Sequence, residues 1–454
     1  MKFLATLRDS LYEAIDAKVF YVMVGLSAFL VLLALTATFE PAGDAKDFMA
    51  KAAVLVSADL NKGGLARYDP GHLDEWMKSQ ASKGQFNVVS VEATEGAENH
   101  PDSHYRVLIR ATFPGPAPDP DEVLRQVREG FGNLFGSRMV NVTDARVISR
   151  SGDGKSVEIE ARTAPSRLTR RLWLFHFSIL FGAVSLPFMS GPLAGQLYGI
   201  ENILVNSLGA TVALLVSVII TAFFVPNMLR KGTIDLLLVK PIRRSTLLLY
   251  KYVGGLTFIF LNTTLAVGGV WLALSLRSGV WAPGFLMSIP ILTFFFAILY
   301  ALSTLFGVLT RSPIAAILLT CAFWFFLFLV GVGYGWFEME ATHPKAMHEA
   351  LQAGRPESER TPYVEDGLTP DERRARQNWF KQGVRKLHAI LPRTSDLGDL
   401  TRRYLLADLM YDNPALQGRL ETAKTSWGET LTVSGIFIAL MLALACWRFS
   451  CTDY

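Results

Sequence analysis

The chain alternates long apolar windows with ordinary polar stretches. Six windows, at 19–38, 203–226, 252–276, 284–309, 314–336 and 431–447, contain no Asp, Glu, Lys, Arg or His. A helix of about 20 apolar residues crosses a bilayer core, and a charge at its centre costs about 2.5–3.5 kcal/mol. These windows predict six transmembrane helices. A seventh apolar stretch, 172–189, carries His176 and Pro187 and runs into Gly191-Pro192. Those breakers predict a re-entrant or surface-lying helix over 172–195 rather than a crossing.

The polar stretches have patterns of their own. Within 41–170, Gln85 to Glu95, His104 to Phe113, Met139 to Arg150 and Ser156 to Thr163 alternate as half-buried strands do. Pro120-Asp121-Glu122 opens a helix, with proline in its first turn and acids at its positive end. Helical material near 45–57 and 71–83 precedes them. The order predicts a small α/β insertion domain. In the second insertion, 337–428, Thr369-Pro370-Asp371-Glu372 is a helix start, and that helix is expected to run to Leu391 before Pro392. A second amphipathic helix is expected from Ser395 to Met410. Residues 1–18 place Phe3, Leu4, Leu7, Leu11 and Ile15 at helical spacing, which predicts a helix in the membrane interface. The fold class expected is a mainly α membrane protein with an external α/β domain and an external helical insertion.

Charge sets the orientation. The segment 227–251 holds Arg230, Lys231, Lys240, Arg243, Arg244 and Lys251 against Asp235. Basic residues in short loops mark the cytoplasmic side. Lys2, Arg8 and Lys18 mark the N-terminus likewise. An even number of crossings must then precede residue 227, which excludes a crossing at 172–189. Both insertions fall outside and both termini inside, in a multi-pass inner-membrane protein. No small-x-small cleavage site follows 19–38, so a signal peptide is disfavoured.

With 51% hydrophobic and 19% charged residues, the composition excludes a disordered chain and disfavours a soluble enzyme. A net charge of +4 predicts no nucleic-acid partner. Cys321, Cys446 and Cys451 make no disulfide framework and no zinc spacing.

The most specific text is Arg230 to Lys251. A short apolar helix, Thr233 to Val239, ends at Pro241; Arg243-Arg244 follow, and Ser245 or Thr246 is expected to cap a helix into the next span. The pattern resembles the coupling-helix segment of permease subunits in type-2 ABC exporters. The matching positions are Arg230, Gly232, Thr233, Asp235, Leu236, Leu237, Leu238, Pro241, Arg243 and Lys251, with Arg244 in the same basic turn. The family's acid is more often Glu. The N-terminal interfacial helix, the six-span layout and Leu391-Pro392 before the last span are similar too. The insertion 41–170 lies outside the motif. The resemblance implies a non-enzymatic membrane half that forms the pathway, pairs with a second permease copy and docks a separate ATPase subunit. ATP would sit on that partner, and this chain would bind no cofactor.

Other signals are weaker. Ser149-Arg-Ser-Gly-Asp-Gly-Lys155-Ser156 lacks the glycine of a phosphate loop and precedes a strand, so it reads as a hairpin turn. His100 with His104, and His343 with His348, lack further ligands for a metal. No catalytic constellation appears. Glu201, Asn202, Asn206, Asn262, Thr263 and Thr264 are polar groups at or near membrane depth. They either line a pathway or bond between helices. Gly254, Gly255, Gly268 and Gly269 permit close helix approach. The competing class is a non-transporting membrane sensor or scaffold that acts through the external domain.

Overall fold

A computed structural model describes residues 18–57, 86–134, 137–186, 190–206, 216–219, 221–223, 226, 243–352, 361–363, 366–394, 396–398, 409 and 427–451. The expected interfacial helix at 1–18 lies outside them, apart from Lys18. So do 71–83 and most of 395–410.

Helix α1 (Lys18–Leu35) leads into strand β1 (Thr38–Pro41) and helix α2 (Ala45–Ser57). The domain continues with β2 (Phe86–Glu95), β3 (His104–Thr112) and α3 (Pro120–Gly130). A two-residue hairpin, β4 (Asn133–Leu134) and β5 (Ser137–Arg138), precedes β6 (Val140–Arg150) and β7 (Ser156–Pro165). The four long strands form an antiparallel sheet ordered β2-β3-β7-β6. Alternation decides its faces. Tyr105, Val107, Ile109 and Ala111 of β3, with Val157, Ile159 and Ala161 of β7, are buried on the face that shares a core with α2 and α3. Each fully buried Val or Ile contributes about 1.5–3 kcal/mol. The other face carries ion pairs between strands: Arg110 with Glu158 at 2.8 Å and Arg146 with Glu160 at 2.9 Å. The near-miss phosphate loop is the β6–β7 hairpin turn, where Gly154 N–H donates to the Ser151 carbonyl at 2.9 Å.

The stretch 172–195 corrects the expectation of a re-entrant or surface helix. After α4 (Arg167–Leu172), the chain forms β8 (Leu174–Ile179), β9 (Val184–Ser185) and β10 (Gly191–Pro192), and helix α5 (Leu193–Asn206) starts only then. β8 is flanked by β1 and β10, with Phe39 opposite Phe177 and Gly191 opposite Phe175. The reason is a period of two hidden in the apolar run. Phe175 and Phe177 are buried, whereas Leu174 and His176 point out. β1 supplies the hydrogen-bonding partner that the sequence reading lacked.

Four described helices are long and apolar enough to cross a membrane: α6 (Arg244–Ser278), α7 (Pro283–Thr310), α8 (Pro313–Thr342) and, later in the chain, Trp427–Cys451. They exceed the apolar windows, by a single proline at the start of α7 and of α8 and by polar turns at both ends of the last helix. α7 is the most buried of them and packs against α6, α8 and the last helix. The expected span 203–226 is described only in part. Its Val218 is buried with Tyr252 and Tyr300, against α6 and α7. Helices α1 and α6 run parallel: Ser27 meets Asn262, Val31 meets Gly269 and Ala37 meets Arg277.

Between the last two spanning helices lie α9 (Pro344–Gln352), α10 (Pro370–Arg376) and α11 (Trp379–Ile390), before α12 (Trp427–Cys451). The single helix expected from Thr369 to Leu391 is two helices. Thr369 and Glu372 form the capping box at the start. Gln377 is extended, and the Asn378 side chain caps α11 by accepting from Lys381 N–H at 3.0 Å. α11 then runs back along α8, with Lys381 on Glu340, Arg385 on Glu338, and the His388 ring stacked 3.8 Å from Tyr334. Leu397 is buried against Ile291 and Ile298 of α7.

Candidate functional site

The coupling residues Arg230, Gly232, Thr233, Asp235, Leu236, Leu237, Leu238 and Pro241 lie outside the described residues. Arg243 and Arg244 are described. Arg243 is extended and is the N-cap residue of α6, so the helix starts before the expected Ser245 or Thr246 cap. Ser245 and Thr246 fall inside the first turn, and Cys446 Sγ donates to the Ser245 carbonyl at 3.8 Å. Leu247 and Leu248 are buried against Leu305 and Val308 of α7 and Ala445 and Phe449 of α12. Arg243 therefore stands where three helix ends meet.

One turn on, the Tyr252 hydroxyl donates to the Ala297 carbonyl at 2.9 Å, and its ring stacks on Tyr300 at 5.1 Å. Gly255 lies against Tyr300, and a Cβ there would stand 2.6 Å from Cε1. Further along, α6 widens into a π-turn at Thr264–Gly268. Such turns interrupt the regular hydrogen-bond ladder and concentrate at functional positions.

The polar candidates divide between two places. Asn262, Thr263 and Thr264 sit together at the π-turn. Asn262 Oδ1 accepts from Ser27 Oγ of α1 at 3.2 Å, a helix-to-helix bond, and Thr264 Oγ1 donates to the Phe260 carbonyl at 2.7 Å. Glu201, buried, and Asn202, half-buried, lie on α5 and Asn206 ends that helix. The first residues of α5, Leu193, Ala194 and Leu197, are buried in the domain's core. Gly269 meets Val31 with a Cβ position 2.5 Å from Cγ2, while Gly268 faces open space.

Two arginines missed by sequence reasoning hold the domain to the helices. Arg277, at the last turn of α6, donates to the Ala37 carbonyl at 2.6 Å and to Thr38 Oγ1 at 3.0 Å. Arg170 donates from Nε to the Ser278 carbonyl at 2.8 Å and from Nη1 to Asp102 at 2.6 Å. Both groups satisfy carbonyls that a helix end leaves open. Arg277 is the first charge after an apolar window, the one signal available beforehand. Around them the domain core continues without a break from Tyr105, Trp173 and Phe175 into Val270, Leu274 and Phe285 of α6 and α7. Burial raises the Tyr105 phenol above its ordinary value, although its hydroxyl donates to the His100 carbonyl at 2.6 Å.

A second polar cluster joins α8, α11 and α12. Glu338 pairs with Arg374 and Arg385, His388 lies 3.3 Å from Asp396, and Arg393 pairs with Glu429 at 2.8 Å. Asp366 accepts from Arg373, which holds its carboxyl at about 2. Among the described residues no group of three His, Cys, Asp or Glu is placed to hold a metal.

These features describe a helical membrane bundle with a domain attached at one end and Arg243 and Arg244 at the other. No curated protein and no solved structure matches the chain. The family described as ABC-2 family transporter protein matches residues 178–454, from β8 to the C-terminus, and leaves α1 and the α/β domain before it. The match covers more than half of the chain, and the chain belongs to the ABC-2 transporter family, as a multi-pass membrane permease.

Proposed function

We propose that the chain is the pathway-forming subunit of an ATP-driven exporter, coupled to a separate ATPase subunit through residues 230–251. ATP is bound and hydrolysed on that partner. A second permease copy completes the pathway.

The observation that carries this reading is the polarity of α6. Its first turns, next to the basic segment, pack on the ends of α7 and α12. Its last turn is bonded to α1 and to the domain through Arg277 and Arg170. At 1.5 Å per residue, its 35 residues span about 52 Å, more than a bilayer core. This supports placing Arg243 and Arg244 on one side and the domain on the other. The parallel course of α1 and α6 supports one crossing between them, at 203–226, and hence six spans. Positive charge assigns the Arg243 end to the cytoplasm and the domain to the outside.

The test is co-purification of an ATPase subunit, with transport-linked ATP hydrolysis, from Asp235→Lys and from Arg243→Glu combined with Arg244→Glu. A docking segment loses both, because its charge-assisted hydrogen bonds to a protein partner are reversed. A helix that merely lies on anionic lipid tolerates Asp235→Lys, which adds an attracting charge. Normal co-purification and coupling in both variants would remove the assignment.

A further inference from the structure

The β8–β9 hairpin ends in a tip that the pathway reading does not use. Ser178 pairs with Ser185 and Ile179 with Val184, and the chain turns through Leu180, Phe181 and Gly182. All three have positive φ, at 54°, 56° and 93°. Left-handed backbone is unfavourable for bulky L residues, and turns normally spend Gly, Asn or Asp there. Here the turn presents large apolar side chains instead. Leu180 is 50% exposed and Phe181 72% exposed, with Val184 exposed beside them.

The place of the tip decides what covers it. Leu180 N–H donates to Thr36 Oγ1 at 3.1 Å, and Phe181 N–H donates to the Thr36 carbonyl at 3.0 Å. Thr36 directly follows α1. The Phe181 ring lies 5.8 Å from the guanidinium of Arg277, in the last turn of the spanning helix α6. Exposed Leu272 and Leu276 lie on α6 just before Arg277, and exposed Trp281 lies just beyond it. In a spanning helix such surface faces lipid, and tryptophans collect at the membrane boundary. The tip is held at that same boundary by its own backbone.

We infer that Leu180, Phe181 and Val184 form a finger inserted into the bilayer leaflet on the domain's side, with phospholipid acyl chains as its partner. Exposed apolar side chains held at the membrane boundary gain their burial from lipid. Thr36 fixes the depth, and Arg277 stands at the level of the headgroups, where a guanidinium meets phosphate. The domain is then attached to the membrane as well as to the bundle.

The test places an environment-sensitive fluorophore at Phe181→Cys, in a background with Cys321, Cys446 and Cys451 replaced by Ala, in phosphatidylcholine nanodiscs. The comparison site is Gly152→Cys in the β6–β7 turn. The expected result is blue-shifted emission, at least threefold stronger quenching by lipids with a spin label high on the acyl chain, and at least threefold weaker quenching by aqueous iodide. Equal quenching at the two sites overturns the inference. So does protection from both quenchers, which marks a protein partner or second copy over the tip. A parallel measurement keeps the native chain: phosphatidylcholine with a photoreactive acyl chain should mark the peptide containing Leu180 to Val184 and spare Ser151 to Lys155. Failure to mark the tip counts against the finger even if the labelled variant misfolds.

Discussion

Replacing Gly255 with Ala tests whether the α6–α7 contact is as close as the structure shows. A Cβ at this position would lie 2.6 Å from Tyr300 Cε1, 2.7 Å from its hydroxyl and 2.8 Å from Cζ. The nearest of these is about 0.8 Å inside ordinary carbon contact, near 3.4 Å. Tyr300 is fully buried and stacked on both Tyr252 and Phe296, so its ring has no open direction. Two effects compete. Ala in a helix interior gains about 1 kcal/mol over Gly. Overpacking a filled core costs about 1–3 kcal/mol, and a clash with a fixed ring belongs in the upper part of that range. The clash wins by about 1–2 kcal/mol, which over 454 residues at about 2.1 cal/mol/K each lowers Tm by about 1–2 °C. Thermal unfolding in detergent or nanodiscs measures it, with Gly435→Ala as control, since nothing lies within 4 Å of a Cβ there. Adding Tyr300→Leu should recover more than about 0.5 kcal/mol relative to additivity. A Gly255→Ala protein as stable as the parent, or no recovery in the double variant, would refute the packing argument.

Arg170→Met should cost about 1–3 kcal/mol, because the Ser278 carbonyl loses a charged donor in a half-buried site. Asp102→Asn should cost under about 1 kcal/mol, since that pair is half exposed; thermal unfolding ranks the two, and the reverse order would contradict the geometry. Asp366, held at about 2 by Arg373, contributes above the ordinary carboxylate range and loses that contribution only as pH falls through about 2. Hydrogen exchange in Pro370–Arg376, corrected for intrinsic rates, should therefore show wild type better protected than Asp366→Asn at pH 7 and still so at pH 4; loss of the contrast at pH 4 means an ordinary carboxyl. Glu98→Cys, exposed and near the Asp102 loop, should react with an impermeant thiol reagent in intact cells lacking other cysteines. Reaction only after lysis would sink the outside placement of the domain.

The parts legible in the sequence were those fixed by local pattern. Apolar length located the centres of α1, α6, α7, α8 and α12, because lipid demands it of any helix that crosses. Strict alternation located β2, β3, β6 and β7, since each strand has one buried face. The capping box at Thr369 located a helix start to the residue. What was not legible depended on partners distant in sequence. β8 read as part of a re-entrant or surface-lying helix, because its ladder partner β1 lies more than 130 residues earlier. Arg170, Arg277 and Tyr300 owe their roles to a carbonyl, a strand and a glycine on other elements. The break at Gln377 hinges on Asn378, whose capping competes with a continuous helix and whose outcome α8 decides through the ion pairs it offers.

The boundary of the family match bears on how the domain works. It opens at residue 178, inside β8, whose ladder partner β1 lies before it. Insertion and family portion therefore share a sheet as well as a core, and the domain is not a module hung on a linker. Arg277 and Arg170 add bonds to the same end of α6. On the proposed coupling, α6 is one path that joins Arg243 to the domain. The first part of α6 is held to α7 and α12 by Leu248 and Tyr252, and its last part to α1 and the domain. Between them lies the π-turn Thr264–Gly268, with α1 touching α6 on either side of it at Asn262 and Gly269. A regular helix resists bending, and a widened turn is where one yields. If α6 flexes, it does so there, and α1, bonded on both flanks, has to follow. The domain is tied to α1 and the end of α6 through Arg277, and its core also reaches the start of α7 at Phe285, so these three helix ends and the domain form one packed unit.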